Sequence, residues 1–500
     1  MLREMTRRQL LKAAALVGSG GLLAACEPKV VQVTTVVEKV VKETVMVEGT
    51  PQVVEKVVKE TVVIEKEVEK IVEVEKTGFD PATVVWWHGW SSPGAIEGFT
   101  KIVDAYHELD TGVTIDRQGV DSYTMEDKLL TAVAGGNPPD LGVCCVRYAQ
   151  FYARGVIAPL DDFIDTSTKI NKDEFAEGMF EACSWRGRTY GVPACECGPR
   201  FGLLVNQDHV EEAGMDPTNL PETWEDMWEW HQKITTYDDA GNLERLWCDP
   251  LDASGASGPS AATATYFAVA MGLKIWDPVS LTFDFNNEKW VEALTTIKRF
   301  YDDVGVEKMD GMKAASGGWT GSPNSAFPSG FESSIIIGYY SPGQMAFHTP
   351  DMKLTAGWPP TSPSRRGVKV QNVSGHPIYI PILSEVKEQA FDFIEFITDD
   401  FAVDVLFNTN GFLGGKKKYY DPDGEKAKQY PGLDWYMRSA VEADELWPSD
   451  VIPISAYANS EWRQARNAVR YGDMTPEEAA ETMQERCTEE LANAFPELMA

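Results

Sequence analysis

The sequence predicts an α/β protein of more than one domain, and two observations carry that prediction. From residue 78 onward, short apolar runs alternate with helical stripes in the order βαβαβ, the pattern of a parallel sheet with helices on its faces. A length of 500 residues exceeds what one hydrophobic core serves, while 43% hydrophobic residues are enough for a substantial core. In order, Thr83–Trp87 reads as a buried strand, and Phe99, Ile102, Val103 and Tyr106 form a helical stripe. Val113–Arg117 is a second strand. Leu129, Leu130 and Val133 mark a second helix, ended by Gly135-Gly136. Leu141–Val146 is a third strand. Farther along, Thr223-Trp224-Glu225-Asp226 resembles a capping box, with Trp224, Met227 and Trp228 packing along one helix face. Trp290, Leu294, Ile297 and Tyr301 make another stripe. Thr475-Pro476-Glu477-Glu478 supplies an N-cap, a proline at the first helical position and an acidic first turn.

The charge balance limits the partners. Seventy-seven acidic residues oppose 45 basic ones, a net charge of −32. Such a surface repels nucleic acid and anionic headgroups, so neither is expected as a direct partner. Six histidines without a His-rich tract argue against a dedicated metal site. No Gly-x-Ser-x-Gly or His-Glu-x-x-His occurs, and Gly411–Lys417 falls one residue short of a phosphate loop and lacks its Ser/Thr. A non-enzyme without cofactor or metal is therefore expected. The abundant carboxylates leave a secreted carbohydrate-active hydrolase as the alternative.

The N-terminus reads as an address. Thr6-Arg7-Arg8-Gln9-Leu10-Leu11-Lys12 carries a twin arginine, and the apolar run Ala13–Ala25 is too short for a mature membrane helix. It ends in Leu23-Ala24-Ala25-Cys26. The stretch resembles a twin-arginine export signal with a bacterial lipobox, which implies removal of residues 1–25 and a lipid anchor on Cys26. Residues 26–77 form a low-complexity Val/Glu/Lys/Thr stalk. Valines at three- to four-residue spacing suggest a helical, heptad-like segment capable of self-association, while the poor helix propensity of valine favours an extended one. Gly49-Thr50-Pro51 should interrupt any helix.

The body, from about Thr83 to about Leu491, resembles the family 1 extracellular solute-binding proteins, the group that includes maltose-binding protein. Five stretches carry the resemblance. They are Ala134–Asp140 with Gly155–Asp162, Arg188–Pro193, Leu203–Asn206 through Pro221–Trp224, Phe327–Gly330, and Asp473–Ala479. The sequence departs from the family at Phe331–Ser334, where small apolar residues are usual, and at Tyr339-Tyr340, where proline–tryptophan is common. The resemblance implies a two-lobed periplasmic-binding-protein fold, with a ligand cleft between the lobes and a hinge of crossing strands. Its lobes would divide the chain into 78–194 and 338–376 for the first lobe, and 195–337 and 377–500 for the second. It further implies capture of a small polar solute, a mono- or oligosaccharide or another polar solute, delivered by a monomeric body to the permease of an ABC importer at the outer face of the membrane.

A sugar offers flat C–H faces and a rim of hydroxyls, so a site needs aromatic rings beside carboxylates, amides or arginine. Fifteen tryptophans are more than a core requires. Trp87, His88 and Trp90 end the first strand, where open α/β sheets place ligands, although Trp87 also suits a core. Asp140 follows a Pro-Pro turn and is equally suited to capping it. Tyr148, with Arg147 beside it, lies past the third strand. On the crossings implied by the resemblance lie Glu196, then Tyr339 and Tyr340, then His376, which as a lone histidine also fits a structural role. Trp319 occupies a Gly/Ser-rich loop. Of the cysteines, Cys144/Cys145 and Cys195/Cys197 are expected near the cleft, joined by a disulfide between the pairs or holding a metal through thiolates.

Overall fold

The computed structural model describes residues 30–47, 50–67, 79–122, 124–144, 146–255, 262–316, 320–447 and 451–499. Two compact units divide the chain, Met1–Lys76 and Thr77–Ala500. In the first, β1 (Val30–Val47) pairs antiparallel with β2 (Thr50–Glu67), from Val30 opposite Glu67 to Val47 opposite Thr50. The helical reading of the stalk is thereby corrected. Valine, isoleucine and threonine lose side-chain freedom in a helix and fit a pleated strand, and that preference outweighs the helical spacing. The hairpin also returns the chain to the end it left, so the segment gains no reach between Val30 and Glu67.

Eight of the strands of the second unit position its site. They are β3 (Ala82–His88), β4 (Val113–Gly119), β5 (Leu141–Val143), β6 (Val192–Pro199), β7 (Gly202–Asn206), β8 (Ser334–Ile337), β9 (Leu354–Gly357) and β10 (Val373–Tyr379). A five-stranded sheet has the order β4-β3-β5-β10-β6. Its first three strands are parallel, as the βαβαβ pattern requires, and β10 runs antiparallel to both neighbours. The third strand ends three residues early. Cys144 takes a left-handed backbone (φ +68), and its N–H donates to the Tyr148 hydroxyl instead of a sheet neighbour.

Two main cores follow. The first packs Val84 and Trp86 of β3 against Phe99, Ile102 and Tyr106 of helix Pro93–His107, which Ser92 caps. Phe393 and Ile394 of helix Lys387–Ile397 and Leu406 and Phe407 of helix Asp400–Asn410 join this core, so the segment just past β10 returns to the first core and not to the second, where it was expected. The second core contains Trp224, Trp247, Trp276, Trp290 and Trp462, all buried. Tryptophans that seemed surplus are thus largely core. The capping boxes at Thr223 and Thr475 form, with Asp226 and Glu478 as their reciprocal partners. Along β7, Leu203 and Val205 enter the second core and Leu204 the first, because successive side chains of a strand face opposite ways. This strand, flanked by β8 and β9, runs where the cores meet.

Gly142 allows close packing in the sheet: a Cβ there would lie 2.4 Å from the Tyr379 ring. Gly142→Ala is therefore expected to lower stability by roughly 1–3 kcal/mol, seen as a lower denaturant midpoint with an unchanged slope. Among the described residues no helix is long and apolar enough to cross a membrane.

Candidate ligand site at the crossing strands

β6 and β10 pair through a register that shifts on both sides of His376, where Gly375 and Pro377 interrupt regular pairing. Opposite this irregularity, Glu196 takes a left-handed backbone (φ +51). Its carboxylate lies 2.8 Å from His376 Nε2 and accepts from Arg200 Nη1 at 2.5 Å. Arg200 also donates to the Glu196 carbonyl (2.9 Å) and to Ser374 Oγ (3.0 Å). His376 Nε2–H donates to Glu196, and Nδ1 lies 3.4 Å from the Tyr148 hydroxyl. Trp90, half-buried in the loop after β3, meets the His376 ring edge-on at 5.4 Å and leans on Phe99 and Phe412, each at 5.6 Å. Burial opposes the charge of Glu196, but Arg200 and then His376 outweigh it and hold the carboxyl below its ordinary value. The result is an aromatic wall beside a fixed carboxylate–guanidinium–imidazole network.

Trp90, Tyr148, Glu196 and His376 are therefore brought together. Tyr339 and Tyr340 lie close enough to Glu196 and Arg200 to feel their charges, but both are buried. The Tyr339 hydroxyl accepts the N–H of Leu413. Asp140 is already engaged over long range: Oδ2 accepts from Val85 N–H (3.0 Å) and Oδ1 from Ser384 Oγ (2.7 Å), so it ties β3 to the segment after β10 instead of capping its own turn. Trp87 lies along β3, its Nε1 donating to Gln118. Arg147 pairs with Glu126 at 2.9 Å. Trp319 and Cys26 lie outside the described residues. Arg200, Ser374 and Phe412 were not anticipated. Arg200 stands four residues after Glu196, about 13 Å away along a regular strand, and the left-handed backbone at Glu196 lets the two meet, which no sequence period signals.

His88 is a correction to the expected site: it is 0% exposed, packed between Trp86 and Phe99, with Arg117 Nη1 donating to Nε2 at 2.9 Å. No ligand can reach it in this conformation. Burial and then Arg117 lower its pKa to about 4. The unfolded chain binds this proton near pH 6.5 and the folded chain only near pH 4, so its stabilising effect is full above pH 6.5 and is lost as pH falls through 4. His88→Gln should flatten that part of the pH–melting curve. The effect is at most about 3 kcal/mol.

The cysteines also depart from expectation. Cys144 is disulfide-bonded, while Cys183, Cys195, Cys197, Cys248 and Cys487 are free and buried. The Cys144 partner, like Cys145, thus lies outside the described residues, and the bridge from Cys144 to Cys195 or Cys197 is not formed. The side chain of Cys197 packs against Gly375, where a Cβ would come within 2.1 Å of its sulfur. Among the described residues no cluster of His, Cys, Asp and Glu could hold a metal. A separate groove of about 350 Å³, lined by Trp224, Glu292 and Arg299 among others, shares no residue with the cluster described above.

Residues 101–434 match the bacterial extracellular solute-binding protein family, and the chain belongs to that family. A search of curated proteins finds no match. Among solved structures, CpMnBP1 with mannobiose bound is similar at a TM-score of 0.71 and 20% identity, over 82% of this chain and 100% of that one. An ABC substrate-binding protein from Listeria monocytogenes in complex with cycloalternan gives 0.63 and 19%, over 83% and 100%. The maltose/maltodextrin-binding domain MalE from Bdellovibrio bacteriovorus bound to maltotriose gives 0.61 and 16%, over 82% and 99%. At these identities the likeness is one of fold, and it gives this chain the periplasmic-binding-protein architecture. The chain is an exported, extracellular solute-binding protein, of a family that binds and does not catalyse.

Proposed function

We propose that this protein captures an oligosaccharide and hands it to an ABC importer. The observation that supports this most is the cluster of Trp90, Tyr148, His376 and Glu196 where the loop after β3 meets the crossing strands. An aromatic face covers the C–H surface of a sugar, and oriented polar groups satisfy its hydroxyls. Trp90 is the stacking face, and Tyr148 and His376 are the hydroxyl-binding groups. Glu196 and Arg200 act through them as positioning residues. Trp87 and Trp319 are the further aromatic residues proposed to contact the ligand, whereas Tyr339 and Tyr340 are buried behind the network. That solved structures of like fold hold mannobiose, cycloalternan and maltotriose supports the same ligand class. Residues 1–25 direct twin-arginine export, and lipid on Cys26 holds the mature protein at the outer face of the membrane.

Thermal shift against manno- and gluco-oligosaccharides, monosaccharides and polyols tests the ligand class. A true ligand at one hundred times its Kd adds about 2.7 kcal/mol of stability. A melting temperature that no saccharide moves would remove the assignment. Incorporation of a fatty-acid label that survives in Cys26→Ala would remove the anchor.

A further inference from the structure

The same decapeptide, Val-Val-Glu-Lys-Val-Val-Lys-Glu-Thr-Val, forms Val36–Val45 of β1 and Val53–Val62 of β2. The two copies run antiparallel, with Glu38 opposite Lys59, Lys42 opposite Glu55 and Val40 opposite Val57. The third residue of each copy therefore meets the seventh of the other. A sequence that complements itself in this way inside one chain complements itself between two chains. Lay a second β1 antiparallel along the open edge of the first, with Val40 on the two-fold axis. Glu38 then stands opposite Lys42 of the partner subunit, and Lys42 opposite Glu38 of the partner subunit, repeating the cross-strand pairs of the hairpin.

The edge is open among the described residues, where β1 and β2 form a two-stranded sheet of their own. A lone hairpin is marginal in water, and a long uncovered strand is a template for pairing. The two edges are not equivalent. β2 carries Pro51, which lacks a backbone N–H, and seven charged residues that sum to −1, namely Glu55, Lys56, Lys59, Glu60, Glu65, Lys66 and Glu67. Charge and proline both discourage edge pairing. β1 has no proline, and its charges, Glu38, Lys39, Lys42 and Glu43, sum to zero. We infer that a second copy of this chain docks on the β1 edge, giving a four-stranded, two-fold symmetric sheet that joins two molecules through their stalks.

Cysteine cross-linking of the full chain in the membranes of expressing cells tests this. Val40→Cys places two thiols at the symmetry axis, at the Cβ spacing a disulfide needs. Mild oxidation should shift this variant to dimer mass on non-reducing gels, while Val57→Cys and the unsubstituted chain stay monomeric. The double variant Val40→Cys/Val57→Cys reports on the hairpin itself through an intramolecular bridge. An intramolecular bridge in the double variant with no dimer from Val40→Cys would overturn the proposal. So would equal cross-linking of Val40→Cys and Val57→Cys, or failure of the double variant to bridge.

Discussion

Trp90→Ala is expected to weaken oligosaccharide binding by roughly thirty-fold or more, about 2 kcal/mol, the loss typical when an aromatic anchor is truncated. The ring is half-buried, rests on Phe99 and Phe412, and meets His376 edge-on, so it is both packed and available. Some folding stability will go with it. Trp90→Phe separates the two effects, since it keeps an aromatic face and part of the packing. Affinity should recover substantially in Trp90→Phe relative to Trp90→Ala, measured by titration on folded protein. Unchanged affinity in Trp90→Ala would show that the loop after β3 does not contact the ligand.

Glu196→Ala carries the larger structural effect. The carboxylate is 4% exposed and is held by Arg200 and His376. Removing it leaves the Arg200 guanidinium, itself largely buried, without its counter-charge. Breaking a buried pair from one side costs about 3–5 kcal/mol. The pH dependence has a definite sign. The folded pKa of Glu196 is depressed, so its contribution is full above the ordinary carboxylate range and fades as pH falls through the lowered value. Denaturant unfolding across that acidic range should show the wild type losing this increment, while Glu196→Gln lacks it throughout. A wild-type midpoint retained in both variants would mean that the Glu196–Arg200–His376 network does not hold β6 to β10.

Much of the architecture is readable from local pattern, because period and capping are local physics. The parallel order of β3, β4 and β5, the helix stripes at Phe99–Tyr106 and Trp290–Tyr301, and the caps at Thr223 and Thr475 all follow from neighbouring residues. The misreadings share a different cause. His88 and Trp86 alternate along one strand with Trp87 between them, and which face is buried depends on helices that arrive from elsewhere in the chain, including Lys387–Ile397. The return of the segment after β10 to the first core is equally non-local. So is Arg200, whose partners include Ser374 far along the chain. The stalk stayed open between helix and strand for the opposite reason. Its valine spacing satisfies a helical period, while the β-branching of the same residues favours the strand, and only pairing with a second copy of the repeat decides between them.

The most direct test is calorimetric titration of residues 78–500 with the saccharide that gives the largest thermal shift, followed by chromatography of the recovered ligand. A saturable one-to-one isotherm, lost in Trp90→Ala, with the saccharide recovered intact after prolonged incubation, is the predicted result. Cleaved saccharide, or an isotherm unchanged by Trp90→Ala, would contradict a carbohydrate-binding cleft built on the crossing strands.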